Sequence, residues 1–261
     1  MCGVNSEYLT DEEYRMYWIK LGETRKAACE SLRFTEGMKV LDVGTGYGYF
    51  AEEMAKQLKR GEIVGIDIAA TDTNKAKKRI KEVGVADIVS VMKMDAIELA
   101  FQDNCFDLAT SFLGMRDIHM TRGRKGVKKA VEEMVRVVKP CGKIAFCITP
   151  PEDMETEDQK IAVEVEGKVF GAVSLPKKFY FDIFRENNVV LSQTRTYRTN
   201  KKLSANQAKI ELTEGIEIVK EIYGREAPPF KKVWDRYGKK IEAFGYGMYS
   251  KIIMLLAEKI S

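Results

Sequence analysis

The sequence predicts an α/β protein, a three-layer sandwich in which helices cover both faces of a seven-stranded, mainly parallel β-sheet. Short apolar runs of strand length alternate with segments of helical periodicity through roughly the first 150 residues. A glycine-rich turn separates the first of these strands from the helix that follows it. The 261 residues, 45% of them hydrophobic, are enough for one large domain with a continuous core.

Five predicted strands and four helices occupy the first part of the chain. A capping box, Thr10 to Glu13, begins a helix predicted over residues 11–32. The strands are predicted over residues 39–43, 62–68, 88–94, 106–112 and 143–149, and the helices between them over 49–59, 73–83 and 126–139. Pro140 and Gly142 are expected to end the last of these helices.

The pattern is less regular beyond Pro150 and Pro151. Residues 153–171 fit either an amphipathic helix or half of a hairpin. Helices are predicted over residues 175–186, 204–223 and about 230–244, and strands over 189–199 and 248–258. The last two strands bring the predicted total to seven.

Composition excludes several classes of protein. The formal charge of +4, from 43 basic and 39 acidic residues, is too mild to indicate a nucleic-acid partner. Five scattered cysteines, none in C-x-x-C spacing, and a single histidine favour neither a disulfide framework nor a metal centre. The chain has no apolar run of membrane-spanning length and begins with a polar, acidic segment. We therefore expect a soluble, cytoplasmic protein that has no membrane partner.

The spacing of the glycines in this turn limits the classes of ligand that it can bind. Gly44, Gly46 and Gly48 form G-x-G-x-G, whereas the dinucleotide fingerprint requires a glycine where this chain has Tyr49. No G-K-[ST] follows, so a nucleotide P-loop is also excluded. Asp42, at the end of the strand, would repel a pyrophosphate but would attract a cationic group. The turn therefore predicts a ligand that is positively charged at this end.

Two further carboxylates end the next two predicted strands. Asp67 lies at the carboxyl end of the second strand, where a carboxylate accepts hydrogen bonds from both hydroxyls of a ribose. Asp95 follows the third strand, where it would accept from the exocyclic amine of adenine. Each aspartate alone is as typical of a turn or a helix cap. Together with Asp42 they predict a site for an adenosine that carries a positive tail.

The segment from Val40 to Gly48 (VLDVGTGYG) resembles the glycine-rich signature of the class I S-adenosylmethionine-dependent methyltransferases. Residues 63–67, 94–96, 106–111 and 135–143 resemble later motifs of that family in the same order. The resemblance covers roughly residues 38–147 and is closest to the small-molecule branch that includes the quinone-biosynthesis methyltransferases. Cys141 departs from the pattern, because that branch usually has glycine there.

This resemblance implies a cofactor, a topology and a set of contacts. The cofactor would be S-adenosylmethionine, with S-adenosylhomocysteine as product, and the last strand of the sheet would be antiparallel. A helical cap of residues 1–36 and an insertion of residues 200–245 would cover the cofactor-binding core, residues 37–150, within a single domain. The implied contacts are Gly44, Thr45 and Gly46 to the methionine portion, Asp67 to the ribose, Ile68, Asp95 and Ala96 to the adenine, and Ser111 and Phe112 at the reacting methyl.

The need for a catalytic base depends on the acceptor. Methyl transfer is an in-line displacement that requires mainly positioning, so an acceptor that is already nucleophilic needs no base. A hydroxyl acceptor would require one, and His119, Tyr17 and Tyr47 are the candidates. A surface or structural role is the more usual one for a lone histidine such as His119. Arg25 interrupts the apolar stripe of the first predicted helix, where it would bind an anionic substrate group.

Three functions fit these observations. The first is methyl transfer to a small molecule enclosed by the cap. The second is methylation of a protein or an RNA, in which the basic residues around Arg122 and Arg124 would contact the partner. The third is a regulatory protein that binds S-adenosylmethionine without catalysis. A closed pocket beside the methyl position would favour the first, and an open groove lined by Arg122 and Arg124 the second.

Overall fold

A computed structural model describes residues 6–221 and 223–260, except for the side chains of residues 17–20. The strands are β1 (Glu7–Tyr8), β2 (Lys39–Val43), β3 (Glu62–Asp67), β4 (Val89–Lys93), β5 (Phe106–Phe112), β6 (Val138–Ile148), β7 (Val189–Arg198), β8 (Lys201–Lys202) and β9 (Lys251–Lys259). Seven of them form one sheet in the order β4-β3-β2-β5-β6-β9-β7. Strand β9 is antiparallel to both β6 and β7, which confirms the predicted mainly parallel sheet with a reversed last strand.

Helices cover both faces of this sheet. They are α1 (Asp11–Arg15), α2 (Tyr17–Leu32), α3 (Tyr49–Leu58), α4 (Ala70–Glu82), α5 (Gly114–Val137), α6 (Glu157–Val165), α7 (Lys177–Glu186), α8 (Ala205–Glu221) and α9 (Phe230–Phe244). Apolar residues of α5 and α7 pack on one face of the sheet, and those of α2, α3 and α4 pack on the other. The arrangement is the three-layer sandwich that the alternating pattern predicted.

Strand β2 shows why the central strands are rich in apolar residues. Leu41 and Val43 belong to the core on one face, Val40 belongs to the core on the other, and all three are fully buried. A strand covered on both faces is mostly apolar, in contrast to the alternation of a half-exposed strand, and the exception in β2 is the buried Asp42 near its carboxyl end. The carboxyl end of β2 leads directly into the glycine-rich turn.

Two predicted element boundaries were wrong. The first predicted helix is divided at Met16 into α1 and α2. Helix α5 begins at Gly114 instead of Gly126 and continues through a kink at Gly123 (φ 65°, ψ −173°). Glycines at positions 114, 123 and 126 lower the helical propensity of this segment, and packing of its apolar residues against the sheet overrides that preference.

The expectation that Pro140 and Gly142 end this helix was also wrong. The helix ends at Val137, and both residues lie within β6. The register between β5 and β6 shifts in this region, which accommodates a proline in a strand. Cys141 adopts a left-handed conformation (φ 60°), and this explains why glycine is the more usual residue at its position.

A third apolar cluster joins α8 and α9 to α6. Leu212, Ile241 and Val165, one from each helix, are fully buried in it. Residues 153–171, for which the sequence left helix and hairpin open, are therefore largely helical, and α6 continues into a π-helical turn, Glu166–Phe170. The division into a core and a cap of residues 1–36 and 200–245 stays a prediction, and residues 1–5 lie outside the described part of the chain.

None of the helices within the described ranges combines the length and the apolar composition needed to cross a membrane. The cytoplasmic location stays a prediction.

Candidate functional site

Two adjoining cavities lie at the carboxyl ends of the central parallel strands. The larger, which we name the loop cavity, has a volume of about 270 Å³ and is lined by Arg25, Asp42, Gly44, Thr45, Gly46, Tyr47, Tyr49, Phe50, Asp72, Phe112, Leu113, Arg116, Asp117, Ile218 and Tyr249. The smaller, the strand-end cavity, has a volume of about 30 Å³ and is lined by Gly44, Ile66, Asp67, Ile68, Met94, Asp95, Ala96, Gly114, Asp117, Ile118, Thr121, Arg122 and Tyr223. Open α/β sheets bind ligands at this edge.

The glycine-rich turn forms the floor between the two cavities. Gly44, Gly46 and Gly48 have φ values of 70°, 52° and 79°, a region that side chains other than glycine rarely adopt. A Cβ at Gly44 would lie 3.1 Å from the Cα of Gly114, so close approach also requires glycine there. The backbone N–H of Gly46 donates to Asp67 Oδ2 at 3.0 Å. The turn is thus held against the end of β3 with its backbone open to a ligand.

Asp42 is 1% exposed and holds the first residues of the turn. Its Oδ2 accepts a hydrogen bond from Thr45 Oγ1 at 2.7 Å, and its Oδ1 accepts one from Thr110 Oγ1 at 3.1 Å. Burial raises the pKa of Asp42 to about 6, against these two hydrogen bonds, which lower it. The residue is therefore mostly ionised at neutral pH and places a negative charge at the wall of the loop cavity.

Asp67 lies between the turn and the strand-end cavity. Its Oδ1 accepts from the backbone N–H of Ala69 at 3.0 Å, while Oδ2 is bonded to the turn. Burial raises its pKa, and these backbone hydrogen bonds counteract the rise. Each carboxylate oxygen has more than one acceptor site, so both remain able to accept from ribose hydroxyls.

Asp95 has more partners than the sequence indicated. Arg122 donates from Nε at 2.9 Å and from Nη2 at 2.7 Å to Asp95 Oδ2, and the backbone N–H of Ile97 donates to Oδ1 at 3.2 Å. An adenine amine that binds Asp95 must therefore share Oδ2 with Arg122 or displace it. Ile68 and Ala96 line the same cavity, on the side expected for the adenine.

Aromatic residues and one guanidinium form the opposite wall of the loop cavity. Arg25 is 7% exposed and lies over the rings of Tyr49, at 4.9 Å, and Phe112, at 5.2 Å. Burial lowers the pKa of Arg25 to about 10, so it remains a cation at neutral pH. The structure thus brings Arg25 to the site, as its interruption of an apolar helix face had indicated.

A buried ion pair joins three segments beside this cavity. Arg116 Nη1 lies 3.5 Å from Glu166 Oε2, and its Nη2 donates to the Tyr249 hydroxyl at 2.6 Å. Glu166 Oε1 accepts from the Tyr246 hydroxyl at 3.0 Å. Arg116 is thus paired with residues that are distant in the chain.

The remaining candidate residues do not all line the two cavities. Ser111 is buried behind Gly114 and lines neither cavity, whereas its neighbour Phe112 does line the loop cavity. His119 Nδ1 lies 3.1 Å from the carbonyl oxygen of Gly171, and His119 is absent from both linings among the described residues. The side chain of Tyr17 lies outside the described residues. A catalytic role for either residue stays a prediction.

Sequence reasoning missed several wall residues. Asp72 and Tyr249 line the loop cavity, Ile218 closes it from α8, and Tyr223 lines the strand-end cavity. Ile218 is 42% exposed on α8, but Ile210 on the same helix is 47% exposed and lines neither cavity, so the sequence carries no signal that singles out Ile218.

Comparisons with known sequences agree with this geometry. The family described as "Methyltransferase domain" matches residues 40–142. A demethylmenaquinone methyltransferase of Desulfitobacterium hafniense is 31% identical over 121 residues, which are 46% of each chain. One of Bacteroides fragilis is 28% identical over 151 residues, 56% of this chain and 59% of the relative. The chain thus spans about half the length of the curated relatives it matches.

Solved structures extend the similarity of fold to most of the chain. A structure of a putative methyltransferase from Bacillus halodurans superposes with a TM-score of 0.64 at 19% identity, covering 91% of this chain and all of that one. The [4+2]-cyclase SpnF has a TM-score of 0.64 at 18% identity and covers 99% of this chain and 89% of its own. Because a cyclase shares the architecture, the fold alone does not identify the reaction.

The sequence similarity lies on the residues that build the cofactor site. The matched segment contains the glycine-rich turn and all three strand-end carboxylates. The strand order and the reversed last strand belong to the same architecture. Residues 40–142 therefore match a methyltransferase domain built on the fold of the solved methyltransferase structures, and the cofactor indicated for this domain is S-adenosylmethionine.

Proposed function

We propose that this protein transfers the methyl group of S-adenosylmethionine to a small molecule bound in the loop cavity. The observation that carries the proposal is the continuity of this cavity from the glycine-rich turn to a wall built by Phe112, Tyr49, Tyr249 and Ile218. Its volume of about 270 Å³ is close to the lower limit for pockets that hold small ligands. The lining combines aromatic and aliphatic side chains with charged ones, and convergent polar groups of this kind orient a ligand in a pocket.

The basic residues that could have bound a nucleic acid are paired within the protein. Arg122 is bonded to Asp95, and Arg124 lies 4.4 Å above the ring of Phe179. Lys128 forms an ion pair with Glu186 at 2.7 Å. These contacts neutralise or cover the cluster, so the small-molecule acceptor is favoured over an RNA.

The protein's contribution to the reaction is mainly positioning. When bound, S-adenosylmethionine supplies an electrophilic methyl group that an acceptor nucleophile attacks in line. Asp67 and the turn hold the donor, and the pair between Arg116 and Glu166 fixes the start of α5 beside it. Phe112 and Ile218 add apolar surface to the wall of the cavity.

Most of the residues proposed to contact the acceptor lie outside the segment that matches the methyltransferase family. Residues 40–142 contain Phe112 but not Arg25, Ile218 or Tyr249. Arg25, held between two aromatic rings, suits a planar acceptor with a delocalised negative charge. Because the curated relatives are named for a quinone precursor, a demethylated quinol is the first acceptor to assay.

Labelled S-adenosylmethionine tests the proposal directly. The purified protein is incubated with the labelled methyl donor and a native extract, and the products are fractionated by size. Asp67→Ala serves as the matched control that lacks the ribose contact. We expect wild-type-dependent label in the small-molecule fraction. Label in protein or RNA would contradict the acceptor class, and binding without any transfer would support the regulatory alternative.

A further inference from the structure

Asp117 lies where the loop cavity and the strand-end cavity meet. It lies in the first turns of α5, and among the described residues only it and Gly44 line both the loop cavity and the strand-end cavity. Asp117 is an exposed residue, and its accessible surface faces these cavities. Asp117 therefore marks the junction of the two.

The carboxylate of Asp117 has no hydrogen bond or ion pair to any residue within 6–221 and 223–260. Its neighbour Arg116 is the nearest source of positive charge, but that guanidinium is engaged by Glu166 and Tyr249. A carboxylate that lines a cleft and has no protein partner is a candidate for contact with a ligand. Asp117 is thus available to a ligand.

The groups around Asp117 make it a strong site for a cation. The charged and titratable residues that face it are Arg116 on its own helix, Asp67 after β3, Asp72 on α4, Glu166 in the π-helical turn, Tyr223 beyond α8, Arg122 in the strand-end cavity and Tyr249 before β9. Burial raises the pKa of Asp117 to about 7, the charge of Arg116 lowers it, and the nearby acidic groups add to the rise. A bound cation would lower this pKa again.

The chemistry of the cofactor supplies such a cation at the junction. In S-adenosylmethionine the sulfonium joins the adenosyl half, whose predicted contacts line the strand-end cavity, to the methionyl half, whose predicted contacts lie in the glycine-rich turn. After methyl transfer the same sulfur is an uncharged thioether. A carboxylate beside this atom therefore stabilises the donor complex and gains much less from the product.

We propose that Asp117 discriminates between S-adenosylmethionine and S-adenosylhomocysteine by pairing with the sulfonium charge. This inference rests on the proposed function and adds a reason for product release. The ammonium of the methionyl tail is common to both compounds, so it does not contribute to the difference. Asp117 is a specificity-determining residue at the cofactor, distinct from the ribose contact of Asp67.

The pairing has a pH dependence with a defined sign. Below pH about 7 the free protein carries a proton on Asp117, and S-adenosylmethionine must displace that proton to bind. Affinity for S-adenosylmethionine should therefore rise with pH up to about 7 and then level off. S-adenosylhomocysteine should show a much weaker dependence, because it does not place a charge at Asp117.

Calorimetric titration of the intact protein with each compound tests the proposal. Asp117→Asn keeps the shape and removes the charge. We expect S-adenosylmethionine to bind this variant roughly 10-fold more weakly at pH 8, and S-adenosylhomocysteine to change by less than about 2-fold. Sinefungin, which carries an ammonium in place of the sulfonium, should follow S-adenosylmethionine. Titration at pH 6.5 in buffers of different ionisation enthalpy should show proton release by the wild type and not by the variant.

Two control variants separate charge from general loss of the site. Asp67→Ala should weaken both compounds equally, because the ribose is common to them. Asp72→Asn removes a carboxylate that lines the loop cavity only, and should change the ratio of the two affinities less than Asp117→Asn does. An equal loss of both compounds in Asp117→Asn, or no loss of either, overturns the inference. If the wild type binds neither compound, the proposed function itself fails.

Discussion

Replacement of Asp42 by asparagine should stabilise the ligand-free protein at pH 8 and weaken its affinity for S-adenosylmethionine. The asparagine oxygen can accept from Thr45 Oγ1, now 2.7 Å from Asp42 Oδ2. Its amide group can donate to Thr110 Oγ1, whose own proton can turn to the carbonyl oxygen of Leu41, 3.2 Å away. The substitution thus preserves the buried hydrogen bonds and removes only the charge.

The magnitude follows from the titration of Asp42. Burial raises its pKa from 3.8 to about 6 in the folded protein. The stabilisation that the protonated form provides is complete below pH about 4 and is lost as the pH rises through 6. About two pKa units at about 1.36 kcal/mol each correspond to roughly 3 kcal/mol, and relaxation around the charge reduces this to about 1–3 kcal/mol. Asparagine does not titrate, so it avoids this loss.

Urea unfolding of the wild type and of Asp42→Asn between pH 5 and pH 8 measures the effect. The difference in free energy of unfolding should grow with pH and reach its full value above pH 7. Asp42→Ala is the contrasting variant, because it leaves the hydroxyls of Thr45 and Thr110 without their acceptor and should lose about 2–4 kcal/mol. A stability difference between wild type and Asp42→Asn that is the same at every pH would refute the reasoning.

Three further variants test the site. Asp67→Ala should weaken S-adenosylmethionine binding by about 1–3 kcal/mol in calorimetry, and unchanged affinity would remove the ribose contact. His119→Asn should leave turnover with the true acceptor unchanged, because His119 bonds to Gly171 outside both cavity linings; a 10-fold lower kcat would restore it as a base. Gly44→Ala should lose about 1–2 kcal/mol of stability from its φ of 70°, and more from the 3.1 Å contact with Gly114. Gly46→Ala, at φ 52° with no atom within 4 Å, is its control and should show the smaller loss in thermal unfolding.

The sheet and the cofactor carboxylates could be predicted because their signals are local. A strand buried on both faces is mostly apolar, and β2 shows this at Val40, Leu41 and Val43. The carboxyl ends of neighbouring parallel strands meet at one edge, so Asp67 and Asp95 had to approach the glycine-rich turn once the strands were identified. Spacing along the chain was sufficient for this part of the site.

The pairing of the charged residues at the site, and the identity of the residues on the wall opposite the glycine-rich turn, could be determined only from the tertiary structure. Arg116 pairs with Glu166 and Tyr249, which are 50 and 133 residues away in the chain, and leaves Asp117 to the cavities. Ile218 reaches the loop cavity through the packing of α8 against the rest of the cap. Burial and Coulomb interactions depend on distance in space, which no local pattern encodes. The residues predicted to bind the methyl donor can therefore be identified from the sequence. The groups proposed to enclose the acceptor, and the carboxylate proposed to respond to the charge of the donor, are brought together only by folding.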